Sequence, residues 1–260
     1  MKTGYLLTLV AAGFLVTACN DDSTTSTNQP PSAQPVSTVT STDQEDAVVW
    51  PGTAPADVET IDNLTQDNFV VVADFSGSMG DQVCSGNYIN KSEAAKSVLN
   101  RWVDKLPQDS GLGLVVFDGN GVRSLVDINT GVQRQFKNAL QAMQPSGGTP
   151  LNSSVTLAYN KLKNQAYKQR GFGSYKVVVI TDGAHSPGEN PTSIVYEITE
   201  NFNNPVELYT IGFCIDDSAL NSPGRTFYQS ASDPNALEQG LGQVLAESDD
   251  LTTVETFFND

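Results

Sequence analysis

The sequence predicts a doubly wound α/β domain, a mostly parallel sheet with one antiparallel edge strand. Two observations carry this. Five apolar runs have strand length, and four of them are nearly continuous Val, Ile, Leu and Phe, as strands covered on both faces require. Amphipathic helical windows lie between them, and strand–helix alternation with short links implies parallel strands joined by crossover helices.

In chain order, Phe69–Ala73 is the first strand. The window Ser92–Leu106 follows, with Ala94, Ala95, Val98, Leu99, Trp102, Val103 and Leu106 on one helical stripe. Leu112–Phe117 is the second strand. After the hairpin signal Asp118-Gly119-Asn120-Gly121 comes Val122–Ile128, which mixes Arg123, Ser124 and Asp127 with apolar residues. That mixture after a tight turn marks an antiparallel edge strand. Helices are expected over Val132–Met143, Leu151–Tyr167, Thr192–Phe202 and Ala236–Ala246, and strands over Val177–Thr181, Leu208–Phe213 and, briefly, Thr226–Gln229. Thr149-Pro150, Asn190-Pro191 and Asp233-Pro234 each set a capping side chain before a proline suited to a first helical position.

The 260 residues include 30 Asp+Glu against 14 Lys+Arg, a net charge of −16. So acidic a chain repels phosphate backbones and anionic lipid headgroups, which excludes nucleic-acid partners and a basic membrane patch. The apolar run Tyr5–Val16 behind Lys2 is too short to span a bilayer and has the length of a signal-peptide core. It ends in Leu15-Val16-Thr17-Ala18-Cys19, which resembles the lipobox of bacterial lipoproteins. That resemblance implies a signal over residues 1–18, removed before a Cys19 that becomes acylated; an ordinary secretory signal is the alternative. Residues 19–66 then read as the lipid-attachment cysteine and a disordered Ser/Thr/Pro/Asp-rich tether, 67–248 as the folded domain and 249–260 as an acidic tail. The expected location is the bacterial cell envelope, and Asn20 after the cysteine favours the outer membrane.

Ligands of a doubly wound sheet bind beyond the carboxyl ends of its strands, where strand order reverses. The first strand runs out into Asp74-Phe75-Ser76-Gly77-Ser78, whose alternation lets one carboxylate and two hydroxyls converge as the chain turns. Gly147-Gly148-Thr149 offers a third hydroxyl, and Thr181-Asp182-Gly183 a second carboxylate. Three hydroxyls and two carboxylates form an all-oxygen donor set, suited to a hard divalent cation: Mg²⁺, with Mn²⁺ or Ca²⁺ as alternatives.

These residues resemble the metal-ion-dependent adhesion site of the von Willebrand factor A-type domain. The resemblance implies a Rossmann-like fold over roughly residues 67–248, direct coordination by Ser76, Ser78 and Thr149, and Asp74 and Asp182 at or just behind the metal's ligands. It also implies a binding module rather than an enzyme, with an open metal position that accepts an acidic side chain of a protein partner. Two alternatives stand beside it. One is a structural scaffold of an envelope complex whose metal only stiffens loops. The other is a serine hydrolase with Ser78 as nucleophile and an Asp182–His185 pair. Cys84 and Cys214 both fall at the carboxyl-end face; export favours a disulfide between them, and two separate buried thiols are the alternative.

Overall fold

The computed structural model describes residues 50–200, 204–215 and 219–255, and side chains among these as far as residue 246. Residues Cys19 and Asn20, with the signal and most of the expected tether, lie outside the described residues. Among the described residues, six strands alternate with five α-helices: β1 (Asp67–Asp74), α1 (Lys91–Val103), β2 (Gly111–Asp118), β3 (Gly121–Asn129), α2 (Gln133–Gln141), α3 (Leu151–Gln169), β4 (Ser174–Thr181), α4 (Thr192–Glu200), β5 (Val206–Phe213), β6 (Phe227–Ala231) and α5 (Pro234–Glu255). They form one sheet in the order β3-β2-β1-β4-β5-β6, in which only β2 and β3 run antiparallel.

The period-two geometry of strands sorts the apolar runs onto two faces. Phe69, Val71 and Ala73 of β1 join Leu112, Leu114 and Val116 of β2 in the cluster packed by α1, α2 and α5. Val70 and Val72 join Val115, Phe117, Val177 and Val179 against α3 and α4. Both faces are covered, which is why β1, β2 and β4 tolerate no polar alternation. From β1 the chain winds outward to β2 and β3, then returns to β4 on the other side of β1. The carboxyl ends of β1 and β4 are thus neighbours at the reversal of strand order, and Asp74 and Thr181 are their last residues.

Two expected boundaries are corrected. The tether is expected to extend to residue 66, yet Trp50, Pro51, Ile61 and Gln66 are tied to the folded domain, while most residues between Gly52 and Gln66 stay exposed. Trp50 is buried, donates from Nε1 to the Tyr159 hydroxyl at 3.3 Å and sits edge-on to Tyr175 at 4.8 Å. The Ile61 amide donates to Lys168 O at 3.2 Å, and Gln66 Nε2 to Asp109 O at 2.6 Å. A segment's mean polarity underestimates what one tryptophan does, because a buried indole removes some 150–250 Å² from water. At the other end α5 stays helical through Glu255, inside the segment expected to be a tail.

Candidate metal-binding site

Each member of the site is placed by backbone that the sheet fixes. Asp74 closes β1 with 1% exposure. Its Oδ1 accepts the Ser76 amide at 2.7 Å, which turns the chain, and its Oδ2 accepts the Thr181 hydroxyl at 2.7 Å and the Asp182 amide at 3.4 Å. Asp74 therefore staples the ends of β1 and β4 together. Burial first, and the nearby Asp182 charge second, raise its pKa from 3.8 to about 6. The single 3₁₀ turn Gly77–Gly80 carries Ser78, whose hydroxyl lies 3.1 Å from the Ser76 hydroxyl and donates to Asp182 Oδ1 at 2.7 Å. Ser76 is buried and Ser78 exposed, so the cluster opens to solvent on the Ser78 side.

Thr149 comes to the same place by another route. Phe75 donates its amide to Phe117 O at 2.9 Å and accepts the Ser146 amide at 2.8 Å, while the Gly77 amide donates to Gly147 O at 3.0 Å. The two loops are thus laced together by backbone. Gly147 holds a φ of +77°, and a Cβ there would stand 2.6 Å from Gly119 Cα, so only glycine permits this approach. Thr149 does not cap α3, contrary to expectation: Pro150 occupies the cap position with no side-chain bond. The Thr149 backbone is gripped instead by Ser186, its amide donating to Ser186 Oγ at 2.9 Å and its carbonyl accepting the Ser186 amide at 3.0 Å. Asn190 and Asp233 do cap as expected, accepting the Thr192 amide at 3.0 Å and the Asn235 amide at 2.8 Å.

The donors surround a cradle. A Cβ built on Gly183 would lie 3.6 Å from Thr149 Oγ1 and 3.8 Å from Ser78 Oγ, so glycine leaves open the space between the two hydroxyls. Asp182 Oδ2 is buried, and its partner is the ammonium of Lys91, with which it forms an ion pair. All five expected positions converge, and the sequence reading missed Lys91 and Ser186. Lys91 had one visible signal, as the first basic residue after Lys2. Ser186 had none, since its role depends on a loop folding back across 37 residues.

These residues fit a divalent cation. Three neutral hydroxyl oxygens lie with two carboxylates, and Gly183 keeps a side chain out of the space beside the Ser78 and Thr149 hydroxyls. Ser76, Ser78 and Thr149 would hold the ion directly, and Asp74 and Asp182 would supply charge at or just behind them; a bound cation polarises whatever oxygen completes its shell. No three His, Cys, Asp or Glu side chains cluster to hold a metal among the described residues, so any site here depends on hydroxyls. Of the residues of the hydrolase alternative, the Ser78 hydroxyl engages Asp182 and Ser76, and His185 Nδ1 donates to the Ser186 carbonyl at 3.0 Å. Cys84 and Cys214 are bonded as a disulfide, Cα atoms 5.8 Å apart, tying the loop after Ser78 to the end of β5.

Residues 69–185 match the von Willebrand factor type A domain. The matched stretch contains all five donors. No curated protein sequence matches the chain. Among solved structures, the proximal thread matrix protein 1 of the mussel byssus, with a zinc-occupied MIDAS motif, aligns at 17% identity and TM-score 0.53, over 72% of this chain and 48% of that one. Manganese-loaded TRAP protein of Plasmodium vivax aligns at 19% identity and TM-score 0.50, over 68% and 72%. The von Willebrand domain of the type V pilus tip protein of Porphyromonas gingivalis aligns at 14% and 0.54, over 72% and 96%. This chain spans about half the length of the mussel protein. At these identities the likeness establishes a shared von Willebrand A-type fold.

Proposed function

We propose that the chain is a binding module of the bacterial cell envelope, anchored through an acylated Cys19, that holds Mg²⁺ (or Mn²⁺ or Ca²⁺) and uses it to capture an acidic side chain of a protein partner. The observation that carries this reading is the convergence of Asp74, Ser76, Ser78, Thr149 and Asp182 around an open cradle at the solvent-facing end of the sheet. Structures of the same fold with zinc in the MIDAS motif or loaded with manganese support it by analogy. Electrostatics support it as well. A chain of net charge −16 repels a bare carboxylate, so an ion must supply the attraction.

A scaffold with a purely structural metal is the second reading, favoured by the deep burial of Asp74 and Ser76 between two loops. Capture from envelope extracts on the immobilised protein separates the two. Partner retained in Mg²⁺ and released by EDTA supports capture through the metal; equal retention in both supports the scaffold. For the anchor, Cys19→Ser should release a protein that otherwise partitions with membranes, and an unmodified Cys19 in normally processed protein would remove the lipid from the account.

A further inference from the structure

Lys91 opens α1 and is 6% exposed. Its ammonium forms an ion pair with the buried Asp182 Oδ2. Nothing in the helix accounts for a lysine there. The first turn of a helix carries the positive end of the macrodipole and favours acidic groups, so a cation at its first position is unfavourably placed. Burial of an ammonium is a further cost unless a specific anion meets it. The chain contains no basic residue between Lys2 and Lys91, and this one is directed at a carboxylate of the cradle.

We propose that Lys91 is a built-in counter-charge that couples cation binding to capture of an anion. This rests on the reading that the cradle takes a divalent cation. In the metal-free site the ammonium balances Asp182. With the cation in place, the two carboxylates alone would neutralise its double charge, and Lys91 leaves the site one unit positive. That residual charge weakens the cation's hold on the empty site and strengthens its hold on an anionic group, so cation and partner bind cooperatively. Lys91 is too enclosed to reach the partner itself and acts through its field.

The test is Mn²⁺ and Mg²⁺ titration of metal-stripped protein at pH 7.5 and fixed ionic strength, for the wild type, Lys91→Met and Lys91→Arg. A unit charge a few ångströms from the ion, at the effective dielectric of a protein surface, implies that Lys91→Met tightens the cation by about tenfold or more. Lys91→Arg, which keeps the charge, should stay near the wild type. With saturating Mn²⁺, a short Glu-containing peptide should bind Lys91→Met more weakly than the wild type. Unchanged or weaker Mn²⁺ binding by Lys91→Met, or an equal effect of Lys91→Arg, overturns the proposal and makes Lys91 a structural tie. If Lys91→Met does not fold, Lys91→Gln, which keeps an N–H toward Asp182, must tighten Mn²⁺ in the same way. A wild type that binds neither ion refutes the metal reading itself, a result distinguishable from failure of the coupling.

Discussion

Asp74 places an ionisable group at a buried point of the site, and its chemistry gives a sign that can be measured. Its unfolded pKa is the ordinary 3.8 and its folded value about 6, so the metal-free fold prefers the protonated acid. The stability this preference contributes is complete below about pH 4, is lost as pH rises through 6, and is constant above. The size is roughly 2–3 kcal/mol, at 1.36 kcal/mol per unit. Asp118, held below its usual range by its hydrogen bond to Arg123, works in the opposite direction as pH falls. The Asp74 contribution is therefore read as a difference: Asp74→Ala should cost metal-free protein less at pH 7 than at pH 4 in urea unfolding, and a pH-independent cost would contradict it. Gly183→Ala tests the cradle. The position has ordinary contacts at 3.6 and 3.8 Å, so metal-free stability should change by less than about 1 kcal/mol, whereas cation affinity should fall tenfold or more, because the methyl stands between two donors. Calorimetric titration beside thermal unfolding checks both halves. Asp74, Ser76 and Ser78 were legible in the sequence because they alternate past a strand end, and Thr149 and Asp182 because they stand where a helix begins and another strand ends. Lys91 was not, because its partner is 91 residues away and only the sheet brings them together.

At the scale of elements, one covalent tie governs the rim of the site. The disulfide Cys84–Cys214 closes a separation of 130 residues and fixes the loop that leads from Ser78 to α1. Both cysteines adopt left-handed backbone, φ 62° and 67°, a conformation L-residues favour little, so the bond holds the loop where it would not otherwise rest. In the chain-entropy model so long a loop corresponds to about 5 kcal/mol as an upper bound. Reduction should lower the urea midpoint and weaken cation binding while β1, β2 and β4 keep their amide protection; a midpoint unchanged by reductant would show that the bond contributes nothing. Element type was readable throughout, since buried parallel strands need unbroken apolar runs and β3, whose residues are mostly not buried, does not. Thr149 reaches the site as its hydroxyl predicts, but it does not cap α3. A threonine before proline satisfies the local rule for a cap, and the tertiary bonds of Ser186 to the Thr149 backbone, which no local pattern shows, hold it otherwise.

At the scale of the molecule, the packed unit begins earlier than composition suggests. Trp50 lies against Tyr159 and Tyr175 on the α3 side of the sheet, far along the chain from anything it touches. Trp50→Ala should cost about 3–5 kcal/mol, and a chain starting at Asp67 should be destabilised at least as much, both measured by urea unfolding. A loss under 1 kcal/mol would mean that residues 50–66 only lie against the surface. This docking was illegible because one aromatic side chain is invisible in a polar average, whereas the layering of the sheet was legible because it repeats in every strand. If the all-oxygen cradle at the β1–β4 reversal binds a divalent cation, the ion must stabilise the fold, and thermal unfolding of metal-stripped protein across a Mg²⁺ titration reads that stabilisation. The midpoint should rise with Mg²⁺, fall back on addition of EDTA and lose this response in Asp74→Ala. A midpoint indifferent to millimolar Mg²⁺, Mn²⁺ and Ca²⁺ would contradict cation binding by the cradle.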